Sequence, residues 1–227
     1  MGKKKKLFRF AEIKTMACVF EPTMEQCNTD SFPLKGKWKS DFFKNDNPVV
    51  LELGCGKGEY SVGLGKKFPD KNFIGVDING ARIWYGAKTV TDDKMNNVAF
   101  IRTRIDFLDK FFSANEVDEI WLTFSDPQPN KPNKRLTSEF FIQLYQKFIK
   151  PGALIHLKTD SDLLFESTLE QIQEHHYKAE EIRWDLYQEM PENLDQQTRE
   201  ILNIKTHYEQ LFSAKGFKIK YCRFTVN

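Results

Sequence analysis

From Pro48 onward the chain alternates short apolar runs with stretches of helical periodicity, and this alternation most constrains its fold. The runs VVLEL (49–53), NFIGVD (72–77), VAFIRTRI (98–105), EIWLTFS (119–125) and ALIHLKTD (153–160) are nearly continuous, as expected of strands covered on both faces. Between them, apolar residues recur at three- and four-residue spacing. Tyr60, Leu64 and Phe68 mark one helix, and Ile83, Ala87 and Val90 the next. A third has Phe140, Phe141, Leu144, Tyr145 and Phe148 on one face, with Thr137 as its expected cap and Pro151-Gly152 as its stop. A fourth uses Phe165, Leu169 and Ile172. EIRWDLY (181–187) and KYCRFTV (220–226) alternate apolar and polar residues, as strands near a sheet edge do, and enclose a helix expected over 198–214. Seven strands interleaved with helices predict a doubly wound, mostly parallel sheet with helices on both faces.

Residues 1 to about 45 lack sustained periodicity. They read as a basic tail, Lys3 to Lys6 with Arg9, and an irregular entry segment, leaving 46–227 as a single domain. No apolar run approaches the roughly 20 residues of a membrane span, and nothing resembles a secretory signal. The Met-Gly start lacks the Ser or Thr of a myristoylation site. Cys18, Cys27, Cys55 and Cys222 form no CxxC pair and are not spaced with the four histidines as metal ligands. A cytoplasmic protein with reduced thiols and no metal is expected, working as a monomer or a homodimer. The net charge of +2 does not announce a nucleic-acid binder, but Lys131, Lys134 and Arg135 form a compact basic cluster.

In open α/β sheets ligands bind beyond the carboxyl ends of the strands. After the first strand comes LELGCGKGEY, with Gly54, Gly56 and Gly58, a loop whose backbone can turn tightly and approach a ligand. A dinucleotide fingerprint would put glycine at position 59, which is Glu59, and Glu52 precedes the loop. A carboxylate there opposes a pyrophosphate and suits a cationic or zwitterionic ligand, which argues for S-adenosylmethionine over NAD. Asp77 ends the second strand and can accept both ribose hydroxyls. Asp106 follows the third strand, placed to meet the adenine amino group, and Asp126 follows the fourth in Ser125-Asp126-Pro127.

These segments resemble those of the bacterial tRNA (guanine-N7-)-methyltransferases, from about Gly36 to the carboxyl terminus. The carriers are KGKW (35–38), LELGCGKGEY (51–60), FIGVDI (73–78), FSDPQPNKPNKRL (124–136), IHLKTDSDLLFE (155–166) and NIKTHYEQLFSAKG (203–216). The resemblance implies a Rossmann-like class I methyltransferase fold with its last strand antiparallel. It implies that S-adenosylmethionine is held by Glu52, Asp77, Asp106, Asp126 and the glycine loop, and that the substrate is a guanosine in the tRNA variable loop. It places Asp160, and Thr206 through Glu209 with Tyr208 among them, around the guanine. Lys131, Lys134 and Arg135, with the basic amino terminus as a further candidate, are then expected on RNA phosphates. The sequence departs from the family pattern at Gln128, where Trp is usual, and at Asn130, where Lys is common, and His207 replaces a usual Glu. The cofactor half alone would also serve a class I methyltransferase acting on another RNA guanine or on a non-RNA substrate. Guanine N7 already carries an in-plane lone pair, so no strong base is required. Asp126 is the expected polariser of the reaction centre, and Asp160 and Glu209 the expected acceptors for guanine N1–H and the 2-amino group. His156, inside a strand, is expected to be a core residue.

Overall fold

The computed structural model describes residues 3–191, 196–213 and 216–226. Its strands are β1 (Val19–Phe20), β2 (Val49–Leu53), β3 (Asn72–Asp77), β4 (Val98–Arg102), β5 (Val117–Thr123), β6 (Ile149–Thr159), β7 (Lys178–Arg183) and β8 (Lys220–Thr225). They form one sheet of eight strands in the order β1-β4-β3-β2-β5-β6-β8-β7. The first six pair in parallel, whereas β8 lies antiparallel between β6 and β7. From β2 the chain winds first to one side of the sheet and then, through β5, to the other. The carboxyl ends of β2 and β5 therefore flank the topological switch point, where a crevice must open.

The helices are α1 (Lys3–Ile13), α2 (Met24–Asn28), α3 (Glu59–Lys67), α4 (Gly80–Asp92), α5 (Glu139–Gln146), α6 (Asp162–Glu174), α7 (Gln196–Leu202) and α8 (His207–Ser213). Every residue of β2 is buried, because helices cover both faces. Its two-residue period sends Leu51 and Leu53 into a core with Phe141, Ile142 and Phe165. Val50 enters the opposite core with Tyr60, Ile83 and Phe100. Glu52 is on the side of Val50, which directs its carboxylate under α3. No helix among the described residues is long and apolar enough to cross a membrane.

The eighth strand, beyond the seven expected, is β1. Two residues carry no readable periodicity, yet Val19 and Phe20 pair with Phe100 and Ile101 at the sheet edge. Residues 3–13, read as tail, are helical, and Ile13 and Phe10 close against Gly80 of α4. The Trp84 indole also donates to Glu12 at 2.7 Å. The entry segment is held by single large residues rather than by a repeat. Phe32, Trp38 and Phe43 are buried, and the Trp38 indole donates to the Phe111 carbonyl at 3.0 Å.

Other boundaries shift for local reasons. Ser138, not Thr137, precedes α5, because the Thr137 hydroxyl is buried against that of Thr168 at 2.7 Å. Phe140 is 51 % exposed rather than on the buried face. Helix α5 has already ended when the chain reaches Pro151-Gly152, and both residues lie within β6 near its irregular pairing with β5. The helix expected over 198–214 is two, α7 and α8, broken between Asn203 and Thr206. Strand β7 begins at Lys178, before the expected run. His156 is buried as expected: it stacks on Trp121 with ring centroids 3.9 Å apart and meets the Tyr221 hydroxyl at 2.8 Å.

Candidate active site

All three glycines of the loop after β2 are left-handed, with φ of 79° at Gly54, 56° at Gly56 and 70° at Gly58. This is a conformation that side chains disfavour and that glycine adopts freely. The Gly54 and Cys55 amides both donate to the Val76 carbonyl, at 2.8 and 3.0 Å, which folds the loop back over β3. The glycines then divide in task. A Cβ on Gly54 would meet nothing within 4 Å, and one on Gly56 only the Gly54 carbonyl at 4.0 Å, so both leave open floor for a ligand. A Cβ on Gly58 would fall 2.5 Å from the Phe100 ring. Gly58 thus lets α3 pack on the sheet, and it does not line the cleft.

That cleft, about 840 Å³, opens at the switch point and collects the acids from successive strand ends. Glu52, Asp77, Asp106, Asp126 and Asp160 all line it, with Thr206, Lys131 and Lys134. Glu52 lies at its base. One carboxylate oxygen accepts from the Ser61 amide and hydroxyl at 2.8 and 2.5 Å, and the other from the Thr123 hydroxyl at 2.8 Å. Burial pushes its pKa up to about 7 against those hydrogen bonds. Asp77 accepts the Gly56 amide at 2.9 Å and the Asn79 amide at 2.7 Å, clamping the glycine loop to the end of β3. Asp106 pairs with Arg104, and Lys134 stands 4.0 Å away. Asp160 carries a carboxyl raised by desolvation, while Lys220 holds its main-chain carbonyl at 3.0 Å.

The segment around Asp126 is under tension. Phe124 has φ of 52° and Gln128 of 45°, both unfavourable for residues with side chains. Each such residue costs on the order of 1 kcal/mol or more and persists only where the surroundings impose it. The Phe124 amide is tied to the Lys158 carbonyl at 2.8 Å, and the Gln128 amide donates to the Asp126 carboxylate at 3.0 Å. Between them the Ser125 hydroxyl oxygen is buried without a hydrogen-bond partner. Arg135 does not reach the cleft. It is buried, its guanidinium donating to the Pro127 carbonyl at 3.1 Å and the Ser167 hydroxyl at 2.8 Å, so it braces this loop from behind. Lys131 and Lys134 remain exposed at the rim.

Glu209 is likewise away from the cleft. It pairs with Lys158 at 2.9 Å, both side chains being fully buried, and the Tyr187 hydroxyl donates to its other oxygen. Lys158 donates also to the Leu202 carbonyl at 2.7 Å and the Ile204 carbonyl at 3.2 Å. The ammonium group therefore caps α7 and holds the break before α8, and Thr206 from that break lines the cleft. The Thr206 hydroxyl accepts the Glu209 amide at 3.2 Å, starting α8. The side chain of Tyr208 lies outside the described ones. Lys158, Tyr187, Ser61 and Arg104 were not foreseen: a lysine in an apolar run reads as a strand's polar face, and only its partner identifies it.

A glycine floor open to a ligand, ringed by carboxylates and edged with lysines, fits a cationic nucleoside-bearing methyl donor. A family model of methyltransferases matches residues 46–222. The tRNA (guanine-N(7)-)-methyltransferase of Bacteroides fragilis is 51 % identical over 224 residues, covering 99 % of this chain and 86 % of that one. That of Christiangramia forsetii is 45 % identical over 231 residues, all of both chains. Among solved structures, the 16S rRNA (adenine(1408)-N(1))-methyltransferase of Catenulisporales acidiphilia, with its cosubstrate SAM, superposes with a TM-score of 0.61. It is 12 % identical, over 86 % of this chain and 93 % of that one, a likeness of fold alone. With this fold, this cleft and near-full-length identity of about half to such relatives, the chain belongs to the tRNA (guanine-N(7)-)-methyltransferase family.

Proposed function

We infer that this chain transfers a methyl group from S-adenosylmethionine to N7 of a guanosine in the tRNA variable loop. The observation that carries the reading is the convergence of five strand-end acids, a two-glycine floor and two rim lysines on one cleft. Glu52, Asp77 and Asp106, with the backbone at Gly54 and Gly56, would hold the cofactor, whose sulfonium supplies the electrophilic methyl carbon when bound. Gly58 supports this site through packing. Asp126, Asp160 and Thr206, which also line the cleft, would receive the guanine. Lys131 and Lys134 would receive phosphate, a charge contact that positions RNA without reading bases. Such a substrate places the work in the cytoplasm.

The chain's own task is alignment, since N7 needs no deprotonation: the lone pair, methyl carbon and sulfur must lie in line, with reacting atoms about 3–3.5 Å apart. Positive charge grows on the imidazole ring of guanine as the bond forms. A carboxylate held by the Asp126–Gln128 turn stabilises that charge without reorganising. The direct test is incubation with labelled methyl donor and bulk tRNA, followed by digestion to nucleosides. Label is expected in 7-methylguanosine; label in another nucleoside, or none, overturns the reading.

Glu52 adds a prediction of its own. Its pKa of about 7 lies above the ordinary carboxylate value because burial disfavours its charged form. A cationic ligand favours the ionised form, so cofactor binding near pH 6.5 is expected to release up to about one proton, declining above pH 8. Calorimetry in buffers of different ionisation enthalpy measures the release. Glu52→Gln is expected to abolish it, and a release that survives this substitution assigns the proton elsewhere. In the ligand-free protein the sign reverses. The folded state binds more protons than the unfolded chain between the ordinary carboxylate pKa and about 7, so this group's contribution to stability falls as pH rises through that window.

A further inference from the structure

The positive charge of this molecule is concentrated in α1 and the residue after it. Residues 3–14 carry six basic side chains and one acid, net +5, in a chain of net charge +2, so the remainder is net −3. Such segregation brings like charges together at a cost in repulsion, and a polyanion offsets it. The helix is also docked beside the cleft. Arg9 lies over the Tyr85 ring at 4.2 Å and the Trp84 ring at 4.7 Å, both on α4. Lys57 of the glycine loop lies over the same Tyr85 ring at 5.6 Å and lines the cleft. One aromatic ring therefore links the basic helix to the mouth of the site, and Lys5 and Lys6 stand exposed beyond it.

Resting on the function inferred above, we propose that α1 is a second RNA-docking surface. It takes the sugar-phosphate backbone of the tRNA outside the cleft, in addition to Lys131 and Lys134 at the rim. The two basic groups stand on different elements, so a bound RNA would be held at two separate places. Neither surface reads bases, and both act by releasing counterions from the RNA. The exposed Leu7 and Phe8 on the same helix raise a membrane surface as the rival occupant. Continuity with a cleft that works on RNA favours the polynucleotide.

The test compares the full chain with K5Q/K6Q and with K5E/K6E, whose exposed side chains lie away from the cleft. The probes are unmodified tRNA and vesicles of phosphatidylcholine with phosphatidylserine. The neutral variant is expected to bind tRNA about tenfold more weakly at low salt. The slope of log K against log salt should drop by about one per lysine removed. The charge-reversed variant should bind more weakly still, with turnover at saturating tRNA unchanged. Equal affinity and slope in all three proteins overturn the proposal. So does vesicle binding that depends on these lysines while tRNA affinity does not. If the unaltered chain forms no 7-methylguanosine, the functional reading fails. If it does and the variants match it, only the role of α1 fails.

Discussion

Replacing Lys158 by methionine is expected to lower folding stability by about 3–5 kcal/mol, the usual cost of breaking a buried ion pair from one side. The ammonium group satisfies Glu209 and two carbonyls at once, at 2.9, 2.7 and 3.2 Å. Methionine keeps the length of the stem but leaves the Glu209 side chain, among the described residues, with the Tyr187 hydroxyl alone, in a fully buried place. Burial pulls the Lys158 pKa down, and the Glu209 carboxylate beside it pulls it back up. The double variant Lys158→Met/Glu209→Gln removes the stranded charge and should recover a large part of the loss. Urea unfolding measures both. A loss under about 1 kcal/mol, or no recovery in the double variant, would show that the pair does not hold the α7–α8 break. Because Thr206 sits on that break, KM for tRNA should rise while cofactor affinity stays unchanged. A merely global loss of stability would not divide the two in this way.

Asp126→Asn is expected to lower turnover about a hundredfold at unchanged fold, the scale on which one preorganised electrostatic group acts at a reaction centre. Asparagine is nearly isosteric, and its side-chain oxygen can still accept the Gln128 amide, so the strained turn keeps its shape. What would disappear, on the function inferred above, is the negative charge proposed to face the imidazole ring as it becomes cationic. Single-turnover kinetics with saturating cofactor isolates that step. Unchanged turnover with intact cofactor binding would remove Asp126 from the chemistry and leave it a turn residue.

Much of the site was legible because strand-end position is a sequence property. Glu52, Asp77, Asp106 and Asp126 each follow an apolar run or close one, and parallel pairing brings such ends to one edge. The glycine loop was legible for the same reason, although the separate packing task of Gly58 depends on Phe100, which is distant in sequence. Arg135 was misplaced because a basic cluster does not say which member turns inward; the Pro127 carbonyl and Ser167 decide that. Glu209 was misplaced because its partner, Lys158, looks like an ordinary strand residue until the chain folds. The departure at Gln128 also has a local meaning. The residue is left-handed, its amide tied to Asp126, so its main chain serves the turn.

The sequence by itself determined the parallel α/β architecture, the sheet edge at which the glycines and acids gather and the expectation of a cationic ligand there. Hydrophobic period and the placing of acids and glycines are local and survive without knowledge of contacts. Tertiary structure alone decided which charges face the cleft and which are spent inside. It made Glu209 and Arg135 braces, and it turned a basic tail into a helix stacked on Trp84 and Tyr85. The reason is physical. A charge's role depends on what desolvates and pairs with it, and those partners lie 51 residues away for Lys158 and 32 for Arg135.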